Sequence, residues 1–167
     1  LFKRCLKNIL FNSKLINFFY SQISAQLGAT GIRSFTIYIE NIPIPQIDDT
    51  IQYEELATLI QNLEARLFSK REIFLGRLNK NLSLKSITLK IQKFYENDFK
   101  TFLSELKKQK IVLSLKDQDE WEDYFNSYKQ EINALQVEID KTDREIDQMV
   151  YALYGLTEDE IRVVENG

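Results

Sequence analysis

The sequence contains no histidine and a single cysteine, Cys5. The missing imidazoles exclude zinc sites of the Cys/His type, every Ser-His or Cys-His nucleophile pair, and the commonest general base near neutral pH. A lone thiol excludes an internal disulfide and fits a reducing compartment. Carboxylate, lysine or tyrosine chemistry is all that is left, and the sequence assigns no catalytic residue and no metal site. Two prolines and five glycines among 167 residues leave little room for long irregular loops and favour long helices. No Met stands at Leu1, so the chain is expected to be cut from something longer. Long apolar runs are scarce as well. Leu15 to Ile32 carries no charge but contains Asn17, Ser21, Gln22, Ser24 and Gln26, too polar for insertion into a bilayer. Lys3, Arg4 and Lys7 ahead of it mimic a signal peptide only faintly, without a clean small-residue cleavage site. The expectation is a cytoplasmic protein with no membrane partner.

What is present is the balance of a folded protein, 44% apolar and 28% charged residues. The net charge of −3 conceals a segregation. Residues 1–39 carry five bases and no acid, residues 40–65 six acids and no base. Residues 66–116 then hold thirteen bases against four acids, and residues 117–167 fifteen acids against four bases. If the later segments are antiparallel helices, their opposite charges can pair along the flanks. The first basic block has no acid within it, so its field is not cancelled locally.

Hydrophobic spacing organises the chain. Leu6, Ile9 and Leu10, then Leu15, Ile16, Phe19, Ile23 and Leu27, form a helix broken near Asn12-Ser13, with Ser13 as N-cap of the second piece and Gly28 and Gly31 as its end. Alternation at Phe35, Ile37 and Ile39 predicts a strand over 34–40, and Pro43 and Pro45 keep the next stretch extended. After Asp49-Thr50, a turn and N-cap, Leu56, Ile60, Leu63, Leu67, Phe74 and Leu78 mark a long helix, with Lys70 standing in the stripe. Ile87 to Leu106 reads as a second helix with Phe94, Tyr95, Phe99 and Phe102 on its face, and 111–115 as a short apolar link. A third helix begins at the Ser114-x-x-Asp117 box. Its seam of Tyr128, Ile132, Leu135, Ile139, Thr142, Ile146, Met149 and Leu153 alternates steps of four and three. Gly155 ends it, and Thr157 with Glu160 caps a last short helix.

Two runs, Phe11-Asn12-Ser13-Lys14-Leu15-Ile16-Asn17-Phe18 and Tyr38-Ile39-Glu40-Asn41-Ile42-Pro43-Ile44-Pro45, resemble the end of the specificity region of bacterial restriction–modification enzymes. The enzymes in question are single-chain adenine-specific methyltransferase/endonucleases of the type IIG kind, with a TaqI-like target-recognition domain. Phe94-Tyr95-Glu96-Asn97-Asp98-Phe99, Asp119-Glu120-Trp121-Glu122-Asp123-Tyr124-Phe125 and Met149 to Ile161, with its Tyr-Gly-Leu-Thr-Glu core, look like the helical tail of the same group. Similar tails close type I specificity subunits, so the likeness marks a superfamily. It implies a mainly α (α+β) fold. Residues 1–49 would be a helix–strand remnant of a DNA-recognition domain, and residues 50–167 long antiparallel coiled-coil-like helices. It also implies double-stranded DNA as a partner, together with methyltransferase and nuclease domains lying N-terminal to this chain. S-adenosylmethionine and Mg²⁺ would be expected in that larger protein and none here, since the chain has no Asn-Pro-Pro and no Gly-x-Gly.

The residues that could meet DNA are Lys3, Arg4, Lys7, Lys14 and Arg33 for phosphate attraction, with Asn12 and Ser13 offering a helix N-terminus. Gln22, Gln26 and Arg33 are the nearby side chains able to read a base edge. A plainer reading makes Ser13 an N-cap and the bases a solvated face. Asp98 with Glu105-Leu106-Lys107 imitates a metal-nuclease pattern, but on one helix instead of a strand. Trp121, Tyr124, Phe125 and Tyr128 lie among acids and read as core or docking aromatics. The competing function is a helical interaction or dimerisation module with no DNA contact, docked through Tyr128, Ile132, Leu135, Ile139, Ile146, Met149 and Leu153. A third possibility, a membrane-surface helix, would use the same bases with Phe18, Phe19 and Tyr20.

Overall fold

The computed structural model describes residues 9–25, 45 and 51–166. Its helices are α1 (Lys14–Ala25), α2 (Ile51–Leu82), α3 (Leu89–Gln92), α4 (Phe99–Lys108), α5 (Leu115–Tyr154) and α6 (Glu158–Asn166), with a helical turn at 9–12 and a 3-10 turn at Phe94–Glu96. No strand occurs among the described residues. What they form is all-helical, and the strand expected over 34–40, on which an α+β description rested, lies outside them. The chain divides into two compact units: Leu1–Ile60 with Lys141–Gly167, and Gln61–Asp140. We call them the terminal and the central unit.

In the central unit α2 and α5 run antiparallel. Lys70 bonds Glu131, Phe74 packs on Tyr124 and Tyr128, and Arg77 lies over the Tyr124 ring. Phe74, fully buried, is stacked on Phe94 with ring centroids 3.7 Å apart and meets Phe102, Trp121 and Phe125 at wider angles. Aromatic rings bury large areas and gain further from such offset and edge contacts. Lys70, at a stripe position, holds its ammonium over the Tyr128 ring, 5.6 Å from the centroid, and pairs with Glu131.

The single helix expected over Ile87–Leu106 is broken, and the break is specified chemically. Thr88 caps α3, its hydroxyl accepting from the Ile91 N–H. The Asn97 amide donates to the carbonyls of Lys90 and Lys93, taking up ends that a continuous helix would have used internally. Asp98 then caps α4 by accepting from the Thr101 N–H at 2.7 Å. The kink turns Phe94, Phe102 and Leu106 together into one core with Phe125 and Ile132.

The α5 start is the expected box: the Ser114 hydroxyl accepts from the Asp117 N–H, and the Asp117 carboxylate accepts from the Ser114 N–H and hydroxyl. In the central unit the seam residues Ile132, Leu135 and Ile139 are buried and Tyr128 half-buried; in the terminal unit Ile146 is buried and Met149 and Leu153 half-buried. Gly155, at φ +66°, reverses the chain after α5, and Thr157 with Glu160 caps α6 reciprocally.

Candidate functional site

The terminal unit brings the described part of the basic N-terminal segment onto the ends of the long helices. Ile9, Leu10 and Ile16 are buried with Ala57 of α2 and Ile146 and Val150 of α5. The break at Asn12-Ser13 is where sequence puts it, because Ser13 competes for backbone groups: its hydroxyl donates to the Leu10 carbonyl at 2.7 Å and accepts from the Ile16 N–H at 3.4 Å. Ser13 is 1% exposed, and so serves as a buried N-cap. The first N–H of α1, that of Lys14, is bound at 2.8 Å by the carboxylate of Asp147 on α5. The anion seat that sequence offers to a phosphate at Asn12-Ser13 is thus filled by the chain's own carboxylate. Asn12 is exposed, and the Lys14 side chain, 52% exposed, reaches Glu165 of α6 at 3.7 Å.

Asp147 is 5% exposed, and burial holds its carboxyl above the ordinary range despite the Lys14 N–H and ammonium. Tyr151, one turn on and 1% exposed, has a buried hydroxyl that faces Glu165. Burial, helped by the charges of Asp147 and Glu165, pushes that phenol up to about 12. Ser13, Lys14, Asp147, Tyr151 and Glu165 therefore make a polar junction inside an apolar contact. Sequence reading found Ser13 and Lys14 but not Asp147, which follows the seam residue Ile146 and reads there as one more surface acid. Lys3, Arg4, Lys7 and Arg33 lie outside the described residues.

In the central unit, the expected pairing of basic and acidic flanks is realised in one salt bridge between the long helices, Lys70 to Glu131; the others described there are local, between neighbours up to four residues apart. Among the described residues, Lys80, Lys85, Lys90, Lys100, Lys107 and Lys110 are exposed and outside any of these bridges. The two carboxylates of the nuclease-like pattern are used structurally. Asp98 is a cap, and Glu105, 4% exposed, accepts from Thr88 at 2.9 Å and Lys108 at 2.6 Å. Those two donors hold the Glu105 carboxyl below its ordinary range. No helix among the described residues is long and apolar enough to cross a membrane.

Comparison with curated proteins and with solved structures gave no match. A family model described as a domain of unknown function, DUF8810, matches residues 46–150, most of α2 to α5, and the chain belongs to that family.

Proposed function

We propose that this chain couples DNA target recognition to a helical mount in a bacterial restriction–modification enzyme. The helices hold a basic segment against the phosphate backbone while upstream domains carry methyl transfer and cleavage. The observation behind this reading is the attachment of residues 9–16 to α2 and α5 through buried Ile9, Leu10 and Ile16 and the Asp147–Lys14 bond. The same segment of the sequence, residues 1–39, carries five bases and no acid. The six bridge-free lysines between Lys80 and Lys110 add a cationic field on the central unit. In this reading the chain performs no reaction of its own, and S-adenosylmethionine and Mg²⁺ belong to the larger protein.

Fluorescence anisotropy with a mixed-sequence duplex, titrated from low to physiological salt, tests it. Binding should weaken steeply as salt rises, with a slope of log K against log salt of about −0.9 per phosphate contacted. Charge reversal at Lys3, Arg4, Lys7, Lys14 and Arg33 should flatten that slope by roughly one unit for each phosphate no longer neutralised. Absence of binding at low salt would overturn direct DNA contact and leave the helical interaction module. In the single chain Ile132, Leu135, Ile139 and Ile146 of that module's seam are buried.

A further inference from the structure

The α3–α4 layer of the central unit carries positive charge that its own acids do not offset. Residues 84–113 hold seven lysines, no arginine and three acids. Each acid is committed within the layer. Glu96 pairs with Lys93 at 3.0 Å, Asp98 caps α4, and buried Glu105 accepts from Thr88 and Lys108. Lys85, Lys90, Lys100, Lys107 and Lys110 remain exposed, outside any salt bridge among the described residues.

Two sets of bonds fix where these lysines stand. The Gln109 side chain accepts from the N–H groups of Lys85 and Ser86 and donates to the Ser86 carbonyl, so the segment leading into α3 is held against the turn that carries Lys110. Glu105 ties α3 to α4 through Lys108 and Thr88, with Lys90 near enough for its charge to act on the same carboxyl. On α4, Lys100, Ser104 and Lys107 are spaced i, i+4 and i+7 and form an exposed stripe away from buried Phe102 and Leu106. At about 1.5 Å of rise per residue, Lys100 and Lys107 stand roughly 10 Å apart along the helix. Lys110 has φ +66°, so a cation is kept where the backbone alone favours glycine.

What the stripe leaves out selects its occupant. The rings of this layer are turned inward: Phe94 and Phe102 are buried, and Tyr95 and Phe99 pack on the same core. A single strand would need exposed rings to stack its bases, and a protein partner would need aromatic or arginine anchors. Ile87 and Leu89 are exposed beside α3, which makes an anionic membrane the alternative to separate by experiment. The α4 stripe itself has no apolar wedge, and its lysines are point charges. A duplex carries one charge per about 1.7 Å of its axis, so spaced lysines meet phosphates without a fixed register. We propose that the α3–α4 layer is a second phosphate-binding face, which holds the backbone of duplex DNA without reading its bases. It rests on the DNA reading above for its partner but uses none of the N-terminal bases.

The test is anisotropy of a labelled mixed-sequence duplex with variants of the full chain over a salt series. Lys90→Gln with Lys107→Gln should weaken binding about tenfold or more at low salt and flatten the slope of log K against log salt by about 2. Lys141→Gln with Arg144→Gln, an equal change of charge on exposed side chains of the terminal unit, should stay within about twofold. With Lys3, Arg4, Lys7, Lys14 and Arg33 all neutralised to glutamine, salt-dependent duplex binding should persist. Circular dichroism confirms that the variants fold. Unchanged binding in the Lys90–Lys107 variant, or no binding once the N-terminal bases are neutralised, would overturn this face and leave the N-terminal contact standing. Binding untouched by that neutralisation but lost in the Lys90–Lys107 variant would support the face and sink the N-terminal contact instead. Equal loss in the two paired variants would overturn the proposal. So would a Lys90–Lys107 variant that loses binding to phosphatidylserine–phosphatidylcholine vesicles while keeping the duplex.

Discussion

Among the described residues each unit buries one carboxylate at a place where helices meet, and the two are treated in opposite ways. Glu105 of the central unit receives two side-chain donors, Thr88 and Lys108, and its carboxyl is held below the ordinary range. Asp147 of the terminal unit receives one backbone N–H, from Lys14, and burial holds it above. The surroundings differ in kind as well. The central core is aromatic, built on Phe74, Phe94, Phe102 and Phe125, whereas the terminal core is aliphatic around Ile9, Leu10, Ile16, Ala57, Ile146 and Val150. One unit is cemented and its charge compensated; the other leaves a charge undercompensated where the basic segment attaches. The two sites differ in the number of donors that reach the buried acid.

The largest effect should come from breaking the aromatic side of this contrast. Phe74→Ala removes a fully buried ring with six aromatic neighbours and should cost about 3–5 kcal/mol in urea denaturation. Ile16→Val in the terminal core trims one methylene and should cost about 0.5–1.5 kcal/mol.

Exchanging the carboxylates for amides sharpens the contrast further. Glu105→Gln replaces a charge held by two donors and should destabilise by about 1–3 kcal/mol. Asp147→Asn keeps an oxygen for the Lys14 N–H while removing the buried charge, so stability should stay within about 1 kcal/mol of the parent or rise. Equal losses at the two sites would break the comparison. The same opposition should appear in pH. Glu105 contributes fully above the ordinary carboxylate range, and its contribution is lost as pH falls toward and through its depressed value. Asp147 in the folded chain takes its proton at a higher pH than in the unfolded chain, so acidification through its raised value adds stability until the ordinary range is reached. Carbon-13 NMR titration of the two carboxyls checks both signs, Glu105 titrating below and Asp147 above a free side chain.

Much of the helical frame was legible because it rests on periodicity and local caps. The steps of four and three from Tyr128 to Leu153 mark the buried face of α5, and the boxes at Ser114 and Thr157 start their helices as their side chains dictate. The break at Asn97-Asp98 was missed because the apolar spacing runs through it unbroken; two turn-forming residues in the middle of the pattern were the available signal. Asp147 was illegible for a different reason. Its partner lies 133 residues away, and no local pattern separates an acid that caps a distant helix from one that faces water. The strand at 34–40 and the cations Lys3, Arg4, Lys7 and Arg33 fall outside the described residues.

The smallest expected effects concern chain reversal, where the units again differ. The terminal unit turns on Gly155, but the central unit uses Ser83 at φ +49° and Lys110 at φ +66°. Gly155→Ala should cost about 1 kcal/mol although its Cβ would meet nothing within 4 Å, and Lys110→Gly should stabilise by a few tenths to about 1 kcal/mol by relieving the left-handed backbone. Thermal melting resolves both.

The bond from Asp147 to the Lys14 N–H also sets an order of events during synthesis. At about 5–20 residues per second, roughly 7–27 s separate the making of Lys14 from that of the carboxylate that caps its helix, 133 residues on. Over that interval α1 has Ser13 as its own local cap, and the groups that Ile9, Leu10 and Ile16 will bury against Ile146 and Val150 do not yet exist. Residues 9–16 therefore reach their final contacts only after α5 has been made to its last turns.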